Sequence, residues 1–285
     1  VTMQFFQRSD NAVLCGIDES IALIHTFASN PANIKIEALN DGDIINSGEP
    51  VLKITGRYQD FGFLESLIDG VLARRTSVAT NVYNTVNTAK PTPVFFMGDR
   101  QDAYINQQGD GYSAYIGGIA AQCTYAHGEW WGKEGSGTMP HALIQIMGGD
   151  IVKAAQAYNN TYPNENITAL VDFHNDVIKD SLLVANALKE KLTAVRVDTS
   201  DSLIDHYFDD KMDLYKGKKI NGCNPYLIIA LRKALDDNGF KHVKIVCSSG
   251  FDIDKINWFK KEKAPVDSYG VGTSLLKINI GFTGD

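Results

Sequence analysis

The sequence predicts an α/β fold, with its strands in a parallel sheet or barrel. Beyond residue 165, short β-branched strands alternate with amphipathic helical segments, and such alternation builds parallel sheets. Polar residues also cluster just after several strands, where the chemistry of α/β folds gathers. Finally, 285 residues, 44% of them apolar, can bury a sizeable core in one large domain or two modest ones.

In chain order, the first 56 or so residues are β-rich. "IKIEALNDGDIINSGEPVLKITG" holds short β-branched runs split by Asn40-Asp41-Gly42 and Ser47-Gly48, both turn signals. "FLESLIDGVLARRTSVATNVYNTV", from about Phe63 to Val86, repeats apolar residues at helical spacing. "PTPVFFMGDR" follows as a buried strand with a polar tip. "ITALVDF", "TAVRVDTSD", "VKIVCSSG" and "PVDSYGVGTSLL" then read as strands. The helices between them are "NDVIKDSLLVANALKEKL", "NPYLIIALRKALDDNGF" and "DIDKINWFKKEK". The expected division is an N-terminal α+β domain over 1–92 and the α/β barrel over 93–285. The chain begins at Val1 and closes on "GFTGD" within a strand-and-turn pattern, so both ends are expected to be cut.

A net charge of −7 gives no electrostatic basis for a nucleic-acid partner. Cys15, Cys123, Cys223 and Cys247 are scattered without a CxxC pair, as expected of reduced thiols. Asn159-Asn160-Thr161 and Asn166-Ile167-Thr168 match the glycosylation pattern, but no signal peptide is visible. No apolar run is long enough to span a bilayer. The expected setting is the cytoplasm, with no membrane partner.

The strand tips carry the chemistry. "AVRV" delivers Arg196 and Asp198, which share one strand face. Two readings stand: an ordinary salt bridge, or an arginine that binds an anion beside an aspartate that accepts from sugar hydroxyls. Ser249-Gly250 and the run Gly270, Gly272, Thr273 are glycine and hydroxyl tips suited to cradling a phosphate. In "DFHND", Asp172 and Asp176 are candidates for Mg²⁺, which favours carboxylates plus substrate phosphates. The same loop also reads as a helix cap. His174 makes no zinc site, because no second His or Cys lies at ligand spacing. "HGEWWGK" reads as a packed loop, and Arg74-Arg75 as a solvated or snorkelling pair. His141 in "EGSGTMPHALIQ" is either part of a helix start or an imidazole presented by a polar loop.

Taken in order, "NDGDIINSGEPVLKITG", "FLESLIDGVLARRTSVATN", "MGDRQDAY", "GSGTMPHAL", "LVDFHND", "AVRVDTSD", "VCSSGFD" and "YGVGTSL" resemble the type II phosphoribosyltransferases, specifically the nicotinate phosphoribosyltransferases. The resemblance covers most of the chain. It implies an N-terminal α+β domain on an irregular α/β barrel, in a homodimer or higher homo-oligomer with shared active sites. It implies transfer of phosphoribosyl from phosphoribosyl pyrophosphate (PRPP) to nicotinate, giving nicotinate mononucleotide and pyrophosphate with ATP hydrolysis, in NAD biosynthesis. By position, it places the phosphohistidine on His141 and a residue near the base on Thr138. Arg100 and Arg196 become base- and phosphoribosyl-binding arginines, and Asp198 the ribose contact. Ser249, Gly250, Gly270, Gly272 and Thr273 become the 5′-phosphate cradle. Pro140 is expected at the first helical position, with the helix dipole at His141 disfavouring imidazolium and welcoming phosphate.

The family's early aromatic segment has no match here, and the stretch after "GVGTSL" that packs back on the first domain is expected to be largely absent. Within the family, enzymes acting on nicotinamide carry a carboxylate some twenty residues after the "GxR" arginine; 111–128 has neither Asp nor Glu, which favours nicotinate. Quinolinate enzymes are expected to resemble the chain less. Two further alternatives are an inactive, nucleotide-binding relative and an aldolase-like barrel. The latter would want a Schiff-base lysine at a strand tip, and these tips carry none.

Overall fold

The computed structural model describes residues 1–285, and the chain divides into two compact units. The first comprises Val1–Asn87, Gly98–Gly135 and Thr273–Asp285. Its antiparallel sheet runs in the order Phe282–Gly284, Thr2–Gln7, Leu52–Thr55, Lys35–Ala38. Thr2–Gln7 alternates, turning Met3, Phe5 and Gln7 inward, and the register sets Met3 on Ile54 and Phe5 on Leu52. The expected helix runs over Glu65–Ala89 after a single turn, Gly62–Leu64. Its Ile68 and Leu72 complete a core with Phe5, Ile24, Leu52, Ile54 and Phe61, each fully buried side chain contributing roughly 1.5–3 kcal/mol. Two turns further on, Thr76 Oγ1 accepts from the Cys15 N–H at 3.1 Å and Thr80 Oγ1 from that of Val13 at 2.9 Å.

This unit departs from the expected division at residue 92, because it takes in 98–135 and 273–285. The reason lies in buried charge. Asp110, in the helix Gln107–Ile116, receives Arg74 Nη2 at 2.7 Å and Arg75 Nη1 at 3.2 Å. Arg75 also pairs with Glu19 at 2.7 Å. The arginine pair is therefore structural rather than solvated. Gly109 makes the crossing feasible, since a Cβ there would stand 2.0 Å from Arg75 Cζ. "HGEWWGK" is not a packed loop: it falls in two short helical turns, Tyr125–Gly128 and Glu129–Trp131, with Trp130 exposed, while Trp131 Nε1 donates to the His127 carbonyl at 2.8 Å and its ring stacks on Tyr115 at 4.5 Å. The final residues do pack back. Gln4 and Asp285 exchange both backbone hydrogen bonds, at 2.7 and 2.9 Å.

The second unit comprises Thr88–Met97 and Ser136–Gly272. Its parallel strands pair in the order Val94–Phe96, Ser268–Val271, Lys244–Cys247, Leu192–Val197, Ile167–Leu170. They form the curled half-barrel of the α/β class expected from sequence. Leu192–Val197 is buried at all but one position, as suits a parallel strand covered on both faces. The crossover helices Val177–Leu188, Pro225–Asp237 and Ile253–Lys261 start on Asp176, Asn224 and Asp252, whose side chains accept a backbone N–H three residues on. That is the capping chemistry those residue types provide. No helix is long and apolar enough to cross a membrane.

Candidate active site

The site builds outward from Arg196 in the second unit. Its strand pairs it with Leu170 on one side and Val246 on the other, so its side chain leaves the sheet centre and is only 8% exposed. Nη1 donates to Ser248 Oγ at 3.3 Å and lies 3.5 Å from Asp198 Oδ2, while Nη2 points to the Met139 carbonyl at 3.5 Å. Ser248 Oγ donates onward to Asp198 Oδ1 at 2.7 Å. Arg196 Nε is buried with no partner in the protein. A buried unpaired donor is costly.

Asp172 ties this cluster to His141. One carboxylate oxygen accepts the Asp198 N–H at 3.2 Å, and the other lies 3.1 Å from His141 Nε2. A carboxylate only accepts, so Nε2 carries the proton and Nδ1 is the open nitrogen. The hydrogen bond to Asp172 raises the His141 pKa above the usual histidine value; burial opposes it, Asp172 and Asp198 charges add to it, and Arg196 subtracts. This corrects the dipole expectation. Pro140 is the N-cap rather than the first helical residue, and His141 opens a helix of only six residues, His141–Ile146. So short a helix has little dipole to set against an adjacent carboxylate, and the Asp172 contact decides the direction of the shift.

The remaining expected residues are distributed as follows. Thr138 is half-buried, one residue before the Met139 carbonyl that faces Arg196. Ser249 and Gly250 follow Ser248 in a left-handed turn, with φ of 80° and 64°. Gly270 is not at a tip. It lies buried inside Ser268–Val271, where a Cβ would stand 2.6 Å from Met97 Sδ and 3.1 Å from Ser248 Cβ. The missing side chain leaves room for Met97 and Ser248. Gly272 follows the strand end. Thr273 opens the short turn Thr273–Leu276 and, like the exposed Arg100, belongs to the first unit.

Asp172 and Asp176 do not act as a pair. Asp176 caps its helix by accepting the Lys179 N–H at 3.4 Å, and both Asp172 oxygens are engaged. No group of three or more His, Cys, Asp or Glu side chains is arranged to hold a metal ion. These two carboxylates therefore do not fit a magnesium site as a pair, and no step below is routed through one. His174 Nδ1 meets both oxygens of buried Asp180, at 2.9 and 3.1 Å. A cavity of about 650 Å³ lined by Asp176, Lys179, His206 and Lys233 among others shares no residue with the Arg196 cluster.

Sequence reasoning missed Ser248 as the bridge between Arg196 and Asp198, and the Met139 carbonyl. The signal for Ser248 was available: it is the first polar residue after "KIVC". Nothing in the residue type marks a backbone carbonyl.

Residues 1–76 match the family model described as quinolinate phosphoribosyl transferase, N-terminal domain. The chain is 27% identical over 247 residues to nicotinate phosphoribosyltransferase pncB1 of Mycobacterium tuberculosis, covering 85% of this chain and 50% of that protein. Nicotinate phosphoribosyltransferase of Bacillus subtilis is 24% identical over 240 residues, covering 84% and 45%. The chain thus spans about half the length of the curated relatives it matches. Among solved structures, nicotinate-nucleotide pyrophosphorylase from Pyrococcus furiosus superposes with a TM-score of 0.84 at 30% identity, covering 100% of this chain and 68% of that one. Human nicotinic acid phosphoribosyltransferase shares the fold, with a TM-score of 0.73 at 16% identity, covering 100% and 69%.

Proposed function

The chain belongs to the type II phosphoribosyltransferase family, and on that premise we propose that it acts as a nicotinate phosphoribosyltransferase. It would transfer phosphoribosyl from PRPP to the ring nitrogen of nicotinate, with ATP hydrolysis passing through His141. The observation that carries this reading is Asp172, which holds His141 with one oxygen and the Asp198 backbone with the other. One carboxylate thereby couples a phosphate acceptor to the ribosyl-binding pair Arg196 and Asp198.

In the transfer, the C1′–oxygen bond to pyrophosphate breaks as the nicotinate nitrogen bonds to C1′. That nitrogen already has its lone pair, so no general base is required. Asp198 accepts from the ribose hydroxyls and faces the positive charge developing on the ring. Arg196, held by Ser248 Oγ and the Asp198 carboxylate, presents a fixed positive charge to the phosphoribosyl group, which needs no reorganisation. In the ATP half-reaction, neutral His141 attacks the γ-phosphorus through Nδ1. ADP leaves with the bridging oxygen, Nε2–H stays on Asp172, and water later cleaves the P–N bond. Magnesium would travel with the phosphate groups of the substrates. Thr138 serves the base, and Ser249, Gly250 and Gly272 the 5′-phosphate. We further propose a homo-oligomer in the cytoplasm.

The quinolinate name of the matched N-terminal model favours a second reading, with quinolinate as the acceptor. The deciding assay uses full-length protein with PRPP and Mg²⁺, offering nicotinate, nicotinamide or quinolinate, with and without ATP. Mononucleotide from nicotinate, increased by ATP, is expected. Product from quinolinate alone establishes the second reading, and no product from any acceptor overturns both.

A further inference from the structure

Lys255 is 9% exposed, and lysines are seldom buried so deeply without a task for the charge. It sits in the first turn of Ile253–Lys261, three residues after the Asp252 cap, where a positive charge opposes the helix dipole. Its ammonium donates to the Ser249 carbonyl at 2.8 Å and to Asp201 Oδ1 at 3.1 Å, and lies 4.9 Å from the centre of the Phe251 ring. Burial would raise the Asp201 carboxyl, but Lys255 and Lys219 beside it hold it below its usual value.

The carbonyl that Lys255 holds belongs to a residue in an uncommon conformation. Ser249 is not glycine yet has φ of 80°, and Gly250 continues the turn at 64°. The left-handed region disfavours a residue with a Cβ, so the turn needs an external hold. No backbone hydrogen bond within the protein uses the N–H of Ser249 or Gly250. Turns that leave successive N–H groups open in this way bind anions.

We propose that Lys255 is a positioning residue for a phosphate subsite. Anchored by Asp201, it pins the Ser249 carbonyl so that the Ser249–Gly250 turn keeps its N–H groups open for the terminal phosphate of the phosphoribosyl substrate. The substrate class rests on the phosphoribosyltransferase reading above. Lys255 itself acts through the turn.

The test compares wild type, Lys255→Met and Asp201→Asn, with ribose 5-phosphate binding measured by calorimetry alongside steady-state kinetics. Lys255→Met should weaken ribose 5-phosphate and raise KM for PRPP by at least about tenfold, the loss expected of one charge-assisted hydrogen bond. Its KM for the pyridine and its kcat should stay within about twofold, a split that a general folding defect would not produce. Asp201, whose side chain is 52% exposed, keeps a hydrogen-bond acceptor as Asn, and Asp201→Asn should move the same two quantities in the same direction by about threefold. Unchanged ribose 5-phosphate binding in Lys255→Met overturns the inference. Should that variant not fold, unchanged binding in Asp201→Asn overturns it, as does wild type that fails to bind ribose 5-phosphate. Wild type that binds ribose 5-phosphate but makes no mononucleotide overturns only the proposed reaction.

Discussion

Asp172 stands directly behind His141, its Oδ1 3.1 Å from Nε2, and this contact sets the protonation state of the imidazole. The pair holds His141 above the usual histidine pKa, so the neutral form that can accept phosphate appears only as pH rises through that elevated value. Asp172→Asn removes the charge and should move the rise in ATP hydrolysis to lower pH, matched by a lower pKa for the His141 ring in an NMR titration. The stability sign runs the other way. The contribution of the pair is fully present below the unfolded value of about 6.5 and is lost as pH rises through the folded pKa. Because the His141 side chain is 47% exposed, solvent screening keeps that contribution small.

His141→Ala should abolish ATP hydrolysis while leaving some ATP-independent transfer. If hydrolysis survives, the phosphate acceptor is another group. Phosphate trapped on the wild-type protein should reside on Nδ1, since Nε2 is committed to Asp172, and phosphorus NMR of the trapped species distinguishes the two nitrogens.

Arg196→Lys keeps the charge but loses the planar fork that reaches Ser248, the Asp198 carboxylate and the Met139 carbonyl. Losing one charge-assisted hydrogen bond of about 2 kcal/mol corresponds to roughly a thirtyfold fall in kcat/KM for PRPP. A fall below threefold would remove Arg196 from the ribosyl site.

Gly270→Ala drives a Cβ to 2.6 Å from Met97 Sδ and 3.1 Å from Ser248 Cβ. Overpacking of this kind costs about 1–3 kcal/mol, read as a lower Tm together with weaker transfer as Ser248 shifts. Met97→Ala in the same chain should recover most of the Tm, because the sulfur is the nearer obstacle. No recovery would place the strain elsewhere.

Asp110→Ala leaves Arg75, 7% exposed, without its buried partner. Breaking a buried pair from one side typically costs about 3–5 kcal/mol, measurable as a fall in the denaturant midpoint. A loss under about 1 kcal/mol would mean that Glu19 alone satisfies the guanidinium.

The second unit was legible in the sequence because its signals are local. Leu192–Val197 is an apolar run, Asp176, Asn224 and Asp252 are caps, and Arg196 and Asp198 follow from strand spacing. The errors arose where a side chain answers to distant neighbours. Arg75 looks solvated until Asp110 and Glu19 are brought beside it, 35 and 56 residues away. Gly270 looks like a loop glycine until Met97 fills the space its missing side chain leaves. His141 looks governed by its own helix start until Asp172, 31 residues on, is brought to its Nε2.

The pairing of Thr2–Gln7 with Phe282–Gly284 has a consequence for synthesis on the ribosome. Thr2–Gln7 waits, with one edge unpaired, until Phe282–Gly284 has left the exit tunnel. Leu52–Thr55 can zip onto its other edge early, so this sheet begins to form well before Phe282–Gly284 closes it. Such long-range closure is slow, and an open strand edge invites pairing with other chains. Nascent chains stalled before residue 282 should therefore be the form of this protein most prone to aggregate.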